Sequence, residues 1–193
     1  MKSVCVYCGS SDKIKSKYLE AARTLGKEIA GRGMVLWFGA GSTGMMGEVA
    51  NGALENGGEV IGVIPELFNT PALAHDNLTR IEVVDSMHLR KQRLAEQADA
   101  FIALPGGFGT FEEFFEILTW SQIGIHQKPI GLLNTDQYYD LLLDMLNHAL
   151  EEGFLYEEHH SLFTIAQSPG TLIDTLMNFQ RPSGVDRWIT RQD

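Results

Sequence analysis

Two adjacent carboxylates, Glu112 and Glu113, follow a glycine-rich run, Pro105-Gly106-Gly107-Phe108-Gly109-Thr110-Phe111, and here the chain carries its densest chemistry. Glycines let a backbone approach a ligand without Cβ atoms in the way. The apolar run Ala100 to Leu104 before them and the helical pattern ending near Ile123 after them make a strand, a turn and a helix start. The first-turn amides of such a helix point outward with partial positive charge, which suits a phosphate. Acidic residues often only decorate a helix start, but carboxylates repel a phosphate set beside them, so behind this loop the pair predicts a second task. Arg90 and Lys91, in Met87-His88-Leu89-Arg90-Lys91, bring positive charge to another predicted helix start, where a solvated face is the ordinary explanation. Gly39-Ala40-Gly41-Ser42-Thr43-Gly44 fits the G-x-G-x-x-G of dinucleotide sites, with Glu66 after the next strand as a ribose-binding acid. Against an NAD-dependent oxidoreductase, the motif follows the second strand rather than the first, and Pro65 precedes Glu66. No lysine follows the glycines, so this is not a P-loop.

The elements that must position these residues alternate. Strands are predicted at Ser3 to Tyr7, Met34 to Phe38, Glu59 to Ile64, Thr79 to Val84, Ala100 to Leu104, Pro129 to Leu133 and Phe163 to Ala166. Helices are predicted between them, at Ser16 to Gly31, from the Gly39 turn to about Asn56, at Met87 to Gln97, from the Pro105 turn to Ile123, at Gln137 to Glu152 and at Pro169 to Phe179. Residues 66–77 read as a loop, and His159-His160 beside Glu157-Glu158 as a polar loop. Alternation at this spacing implies right-handed crossovers and a single-domain, Rossmann-like α/β fold, a doubly wound parallel sheet with helices on both faces. Residues 1–180 form one nucleotide-binding domain in this reading, and 181–193 an unpacked tail. The Cys8, Gly39 and Pro105 turns all fall at strand carboxyl ends, where such sheets bind ligands, so they can share one crevice.

Composition narrows the class. With 193 residues, 44% of them hydrophobic and 21% charged, the chain can bury a core unaided. A formal net charge of −10 argues against a nucleic-acid surface, so an anionic ligand must be held locally. The first residues, Met1-Lys2-Ser3-Val4, enter a strand at once without a signal-like segment, which predicts a cytoplasmic protein with no membrane contact. Cys5 and Cys8 have C-x-x-C spacing, but residues three apart on a strand point to opposite faces and cannot pair if the strand continues. No cysteine or histidine spacing compels a metal site.

The run Pro-Gly-Gly-x-Gly-Thr-x-x-Glu, Pro105 to Glu113, resembles the signature of the LOG family, cytokinin-activating phosphoribohydrolases often labelled possible lysine decarboxylases. The resemblance extends from Cys8-Gly-Ser-Ser11 through Gly39 to Gly47, Met87 to Lys91, the signature, and Gly124 to Asn134. In the family the glycine turn is usually Gly-Gly-Gly, then Gly-Leu-Met-Gly, so Ala40 and Met45 depart slightly. Many members also carry a glutamate where this chain has Ala72. The resemblance implies a cofactor-free, metal-free homodimer that cleaves the N-glycosidic bond of adenosine-type nucleoside 5′-monophosphates, N6-prenylated ones included. It implies Glu113 and Arg90 as the catalytic pair, with Arg90 orienting either Glu113 or the leaving base. It implies substrate-binding positions at Gly39, Gly41, Gly44, Met87, Lys91, Gly106, Gly107, Phe108, Gly109, Thr110, Phe111, Glu112 and Thr119. A molybdenum-cofactor or nucleotide carrier on the same fold would need the glycine loops but not the Arg90 and Glu113 pair. Lysine decarboxylation would need a Schiff-base lysine opposite a pyridinium partner, a pattern the sequence lacks.

Overall fold

The computed structural model describes residues 1–185. Strands β1 (Ser3–Tyr7), β2 (Val35–Phe38), β3 (Val60–Pro65), β4 (Arg80–Val84), β5 (Ala100–Ala103), β6 (Ile130–Leu133) and β7 (Thr164–Ala166) form one sheet in the order β4-β3-β2-β1-β5-β6-β7. Every neighbouring pair is parallel. The chain winds outward from β1 to β4, returns to the other side of β1 as β5, and winds outward again. The topological switch therefore lies between β1 and β5, and the turns leaving those strands flank the crevice there.

Helices α1 (Ser16–Gly31), α2 (Gly44–Leu54), α3 (Met87–Gln97), α4 (Phe108–Gln122), α5 (Asp140–Glu151), α6 (Glu157–His160) and α7 (Pro169–Met177) cover the sheet. Alternation along β1 sorts them into layers: Val4 and Val6 join a core with α1, α2 and α7, whereas Cys5 and Tyr7 join another with α3, α4 and α5. In α1 the helical recurrence of Ala22, Leu25 and Ile29 leaves all three without solvent exposure. Leu25 and Ile29 each contribute about 1.5–3 kcal/mol relative to exposure, and the single methyl of Ala22 contributes less. Cys5 and Cys8 are free, buried and in different layers, as strand geometry requires.

Three local expectations need correction. The helix expected from Gln137 starts at Asp140, because Asp136 and Gln137 have φ of 51° and 60°, left-handed values that no α-helix contains. A short 3-10 turn, Thr135–Gln137, occupies the gap. The expected polar loop at Glu157 to His160 is α6, and its His159 is buried between Gln122 and the carbonyl of Val185. The stretch after Gln180, expected to be unpacked, is anchored as far as the described residues run: Arg181 donates to the carbonyls of Ser121 and His126, and Val185 is buried. The rest of that tail lies outside the described residues.

Candidate active site

The turns after β1, β2 and β5 interlock. Gly9 donates its amide to the Pro105 carbonyl and accepts from the Met45 amide, and the Thr43 hydroxyl donates to the Ser10 carbonyl. Gly44 makes this possible: with φ of +59°, a Cβ there would lie 2.4 Å from the Ser11 carbonyl oxygen. The Cys8 turn is thus held between the other two.

The glycines of the two nucleotide-like turns have different neighbours. A Cβ on Gly39 would lie 1.8 Å from Arg90 Nη2, and one on Gly41 2.9 Å from Met46 Sδ. That turn is occupied by the protein's own side chains, so its G-x-G spacing seats an arginine. In the signature, a Cβ on Gly106 would meet Thr110 Oγ1 at 2.1 Å and the Gly9 amide at 2.9 Å, so Gly106 is a packing glycine as well. A Cβ on Gly107 or Gly109 would meet nothing within 4 Å. They face open space at the start of α4, whose first-turn amides have no partner within the helix. Thr110 is buried, Phe111 packs edge-on against Tyr139, and Phe108 stands 94% exposed.

Glu113, one turn further along α4, points inward and is only 8% exposed. Its carboxylate lies 3.4 Å from Arg90 Nη1 on α3, too far to count as a short charge-assisted hydrogen bond. Burial pushes the Glu113 carboxyl up to about 7, outweighing the opposing pull of Arg90, and Glu112 and Glu116 push the same way. Arg90 Nη1 also reaches Met87 Sδ at 3.7 Å, and its Nε is buried without a hydrogen-bond partner among the described residues. The carboxylate is therefore close to its protonation midpoint at neutral pH, beside an arginine with unspent donors.

Lys91 bridges the two helices by pairing with Glu112 and, at 2.9 Å, with Glu116. Burial disfavours its charge, but the two carboxylates prevail and hold its pKa above the ordinary lysine value. Met87, Arg90, Lys91, Glu112 and Glu113 thus gather on facing sides of α3 and α4. Thr119 does not join them: it lies two turns beyond Glu112 along α4 and lines a cavity of about 160 Å³ with Phe115, Leu118 and Leu146. A broader depression of about 850 Å³ beside β7 and α7 shares no residue with the signature.

Sequence reasoning missed Glu116, which helical spacing from Glu112 could have flagged. It also missed Met46, Gly9 and Tyr138, whose hydroxyl donates to the Gly106 carbonyl at 2.5 Å. Burial pushes the Cys5 and Cys8 thiols up, so neither is a ready nucleophile. Among the described residues no group of three or more His, Cys, Asp or Glu could hold a metal ion.

Known proteins carry the same arrangement of elements. A family model described as "Possible lysine decarboxylase" matches residues 46–176. The "Probable cytokinin riboside 5'-monophosphate phosphoribohydrolase LOGL3" of Oryza sativa subsp. japonica is 45% identical over 178 residues, 92% of this chain and 84% of that protein. Cytokinin riboside 5'-monophosphate phosphoribohydrolase LOG3 of Arabidopsis thaliana is 42% identical over 178 residues, 92% of this chain and 83% of that protein. Among solved structures, the molybdenum cofactor binding protein of Rippkaea orientalis superposes with a TM-score of 0.71 at 25% identity, covering 92% of this chain and 97% of that one. By the span of the family model and by identity to these relatives over most of its length, the chain belongs to the LOG family.

Proposed function

We propose that the protein is a phosphoribohydrolase that cleaves the N-glycosidic bond of adenosine-type nucleoside 5′-monophosphates, N6-prenylated ones included. The observation that carries this reading is the buried Glu113 carboxylate, one helical turn behind the open Gly107 and Gly109 backbone and 3.4 Å from Arg90. The 5′-phosphate sits on the α4 amides from Gly107 to Thr110, which directs the ribose toward Glu113. As the bond from C1′ to the base nitrogen breaks, positive charge develops on C1′ and the ring oxygen. An anion held beside it in a poorly solvated place stabilises that transition state more than the ground state. Water supplies the hydroxyl that C1′ gains and the proton that the base takes, and Glu113 in its carboxylate form accepts the proton of the attacking water. The products are free base and ribose 5-phosphate. Membership of a family whose named relatives are phosphoribohydrolases supports the assignment.

A nucleotide or molybdenum-cofactor carrier is the second reading, favoured by the solved neighbour. It gives the Arg90 and Glu113 pair no task. A dinucleotide-dependent oxidoreductase is disfavoured by Arg90 and Met46 filling the Gly39 turn.

The test is to incubate the protein, without metal or cofactor, with AMP and with N6-isopentenyl-AMP, and to quantify base and ribose 5-phosphate beside Glu113→Gln. Base release that needs both the 5′-phosphate and Glu113 is expected; tight nucleotide binding without release from either substrate would overturn the hydrolase in favour of the carrier. We further propose a homodimer. In support, α5 buries no residue of its own, and Leu141 and Phe154 stand 84% and 83% exposed. Light scattering in solution tests it.

A further inference from the structure

Successive carbonyls of the turn from β5 into α4 each have a donor of their own. The Leu104 carbonyl accepts from Tyr139 Oη at 2.6 Å, the Pro105 carbonyl from the Gly9 amide at 3.1 Å, and the Gly106 carbonyl from Tyr138 Oη at 2.5 Å. A carbonyl left to turn toward a phosphate would repel it. The peptide unit is planar and trans, so anchoring the carbonyl of one residue fixes the N–H of the next in the opposite direction. No peptide bond in the described chain is cis. The Tyr138 hydroxyl, holding the Gly106 carbonyl, therefore sets the direction of the Gly107 N–H, and a Cβ on Gly107 would meet nothing within 4 Å, so the space beside this residue is open to a ligand. The Tyr139 hydroxyl, holding the Leu104 carbonyl, has no comparable consequence, because the next residue is Pro105 and carries no N–H.

Tyr138 is itself held. Its ring lies edge-on to Tyr18 at 5.8 Å and to Tyr139 at 5.1 Å. Just before it, Asp136 and Gln137 occupy the left-handed region, a conformation that costs free energy for residues other than glycine. Asp136 pairs with Lys17, whose ammonium lies 5.1 Å from the Tyr18 ring centre. This turn delays the start of α5 and presents two consecutive tyrosines to carbonyls two residues apart. The lone hydroxyl proton of Tyr138 is committed to Gly106, so it is not available to the phosphate directly.

We propose that Tyr138 is a positioning residue for phosphate recognition: by holding the Gly106 carbonyl out of the crevice it aims the Gly107 amide at the 5′-phosphate and so sets the preference for phosphorylated over unphosphorylated ligands. This rests on the reading of Gly107 to Thr110 as the phosphate cradle. The test compares Tyr138→Phe and Tyr139→Phe with the parent protein, using ribose 5-phosphate and adenine as competitive inhibitors of AMP cleavage, together with thermal melting. In Tyr138→Phe, ribose 5-phosphate inhibition weakens about fivefold to tenfold, the worth of one aimed hydrogen bond. Adenine inhibition changes by less than about twofold, and the melting temperature barely moves, because the ring contacts remain. In Tyr139→Phe the pattern reverses: the buried Leu104 carbonyl loses its donor and the protein melts earlier, while the ratio of the two inhibition constants stays at the parent value. Equal ribose 5-phosphate inhibition in Tyr138→Phe and parent would overturn the role of Tyr138 and leave the cradle standing. A parent protein that ribose 5-phosphate does not inhibit would overturn both. Loss of adenine and ribose 5-phosphate inhibition together in Tyr138→Phe would reduce Tyr138 to a general structural residue.

Discussion

Replacing Glu113 by glutamine removes a charge that the fold stabilises poorly, and the size of the effect follows from the site. Burial moves the carboxyl from an ordinary 4.5 to about 7. At about 1.4 kcal/mol per pH unit, that gap corresponds to about 3 kcal/mol of folding free energy. The sign is opposite to that of a salt-bridged carboxylate. Below about pH 4.5 the group is protonated in both the folded and the unfolded chain and costs nothing extra. Between 4.5 and 7 the folded chain holds a proton that the unfolded chain has released, so stability falls as pH rises, and above 7 the full cost is present. Glutamine stays neutral throughout. The stability of Glu113→Gln relative to the parent should therefore grow by most of about 3 kcal/mol between pH 5 and pH 8, which for a chain of this size is about 5–10 °C in melting temperature. The attraction of Arg90 is already contained in the midpoint, so no separate allowance is needed. Urea unfolding of both proteins at the two pH values measures the double difference, in which groups other than Glu113 cancel. No substrate is present, so the ionisation of a nucleotide phosphate cannot confuse the result. A difference that is flat or shrinks as pH rises would mean that Arg90 holds the carboxylate ionised against desolvation, and the reasoning would fail. The same midpoint predicts an acid limb near pH 7 in kcat/KM, because the carboxylate form is the one that stabilises positive charge on the ribose.

Two further substitutions probe the seats around that carboxylate. Gly39→Ala puts a methyl group 1.8 Å from Arg90 Nη2, so the guanidinium must move by an ångström or so; kcat for AMP should drop about 100-fold, with circular dichroism still reporting the parent fold. An unchanged kcat would show that the seat of Arg90 is irrelevant to turnover. Lys91→Met leaves Glu112 and Glu116 without their shared counter-charge beside the proposed phosphate cradle, so KM for AMP should rise about tenfold at low ionic strength and less at high salt. A salt-independent change would assign Lys91 to helix packing alone.

The sheet was legible because most of its strands are apolar runs and β1, β2, β3 and β5 also close at a glycine or proline turn, and β1 to β7 lie within a residue or so of their expected ends. The crevice was legible for the same reason: once the strands are parallel, the turns after β1, β2 and β5 must share one end of the sheet. What each glycine does there was not legible. Gly39 and Gly107 look alike in the sequence, yet one is filled by an arginine 51 positions away in the chain and the other is open. Periodicity carries no record of which long side chain will cross a turn. The left-handed pair Asp136-Gln137 leaves no mark in the sequence because neither residue is a glycine, so periodicity starts the helix too early and includes the two tyrosines behind the turn. The burial of His159 and the packing of Arg181 escaped because both depend on contacts between elements distant in sequence. Glu113 and Arg90 became a pair through family resemblance; spacing alone would have allowed each a solvated face.

Their geometry also bears on what Arg90 does. An arginine whose task was to clamp Glu113 would approach it with two parallel hydrogen bonds at about 2.7–2.9 Å and would drive the carboxyl well below its ordinary range. Instead the nearest approach is 3.4 Å through one nitrogen, the other terminal nitrogen lies over Gly39, and Nε has no partner among the described residues. The carboxyl moves up, not down. An arginine so placed lowers the cost of ionising Glu113 without fixing its orientation, and it keeps donors for whatever enters the crevice. Of the two roles open to it, this favours a contact to the substrate, on the leaving-base side or the ribose, over a clamp on the acid. The same looseness is consistent with Glu113 accepting a proton during turnover, since a carboxylate locked into a bidentate pair would be too weak a base to do so near neutral pH.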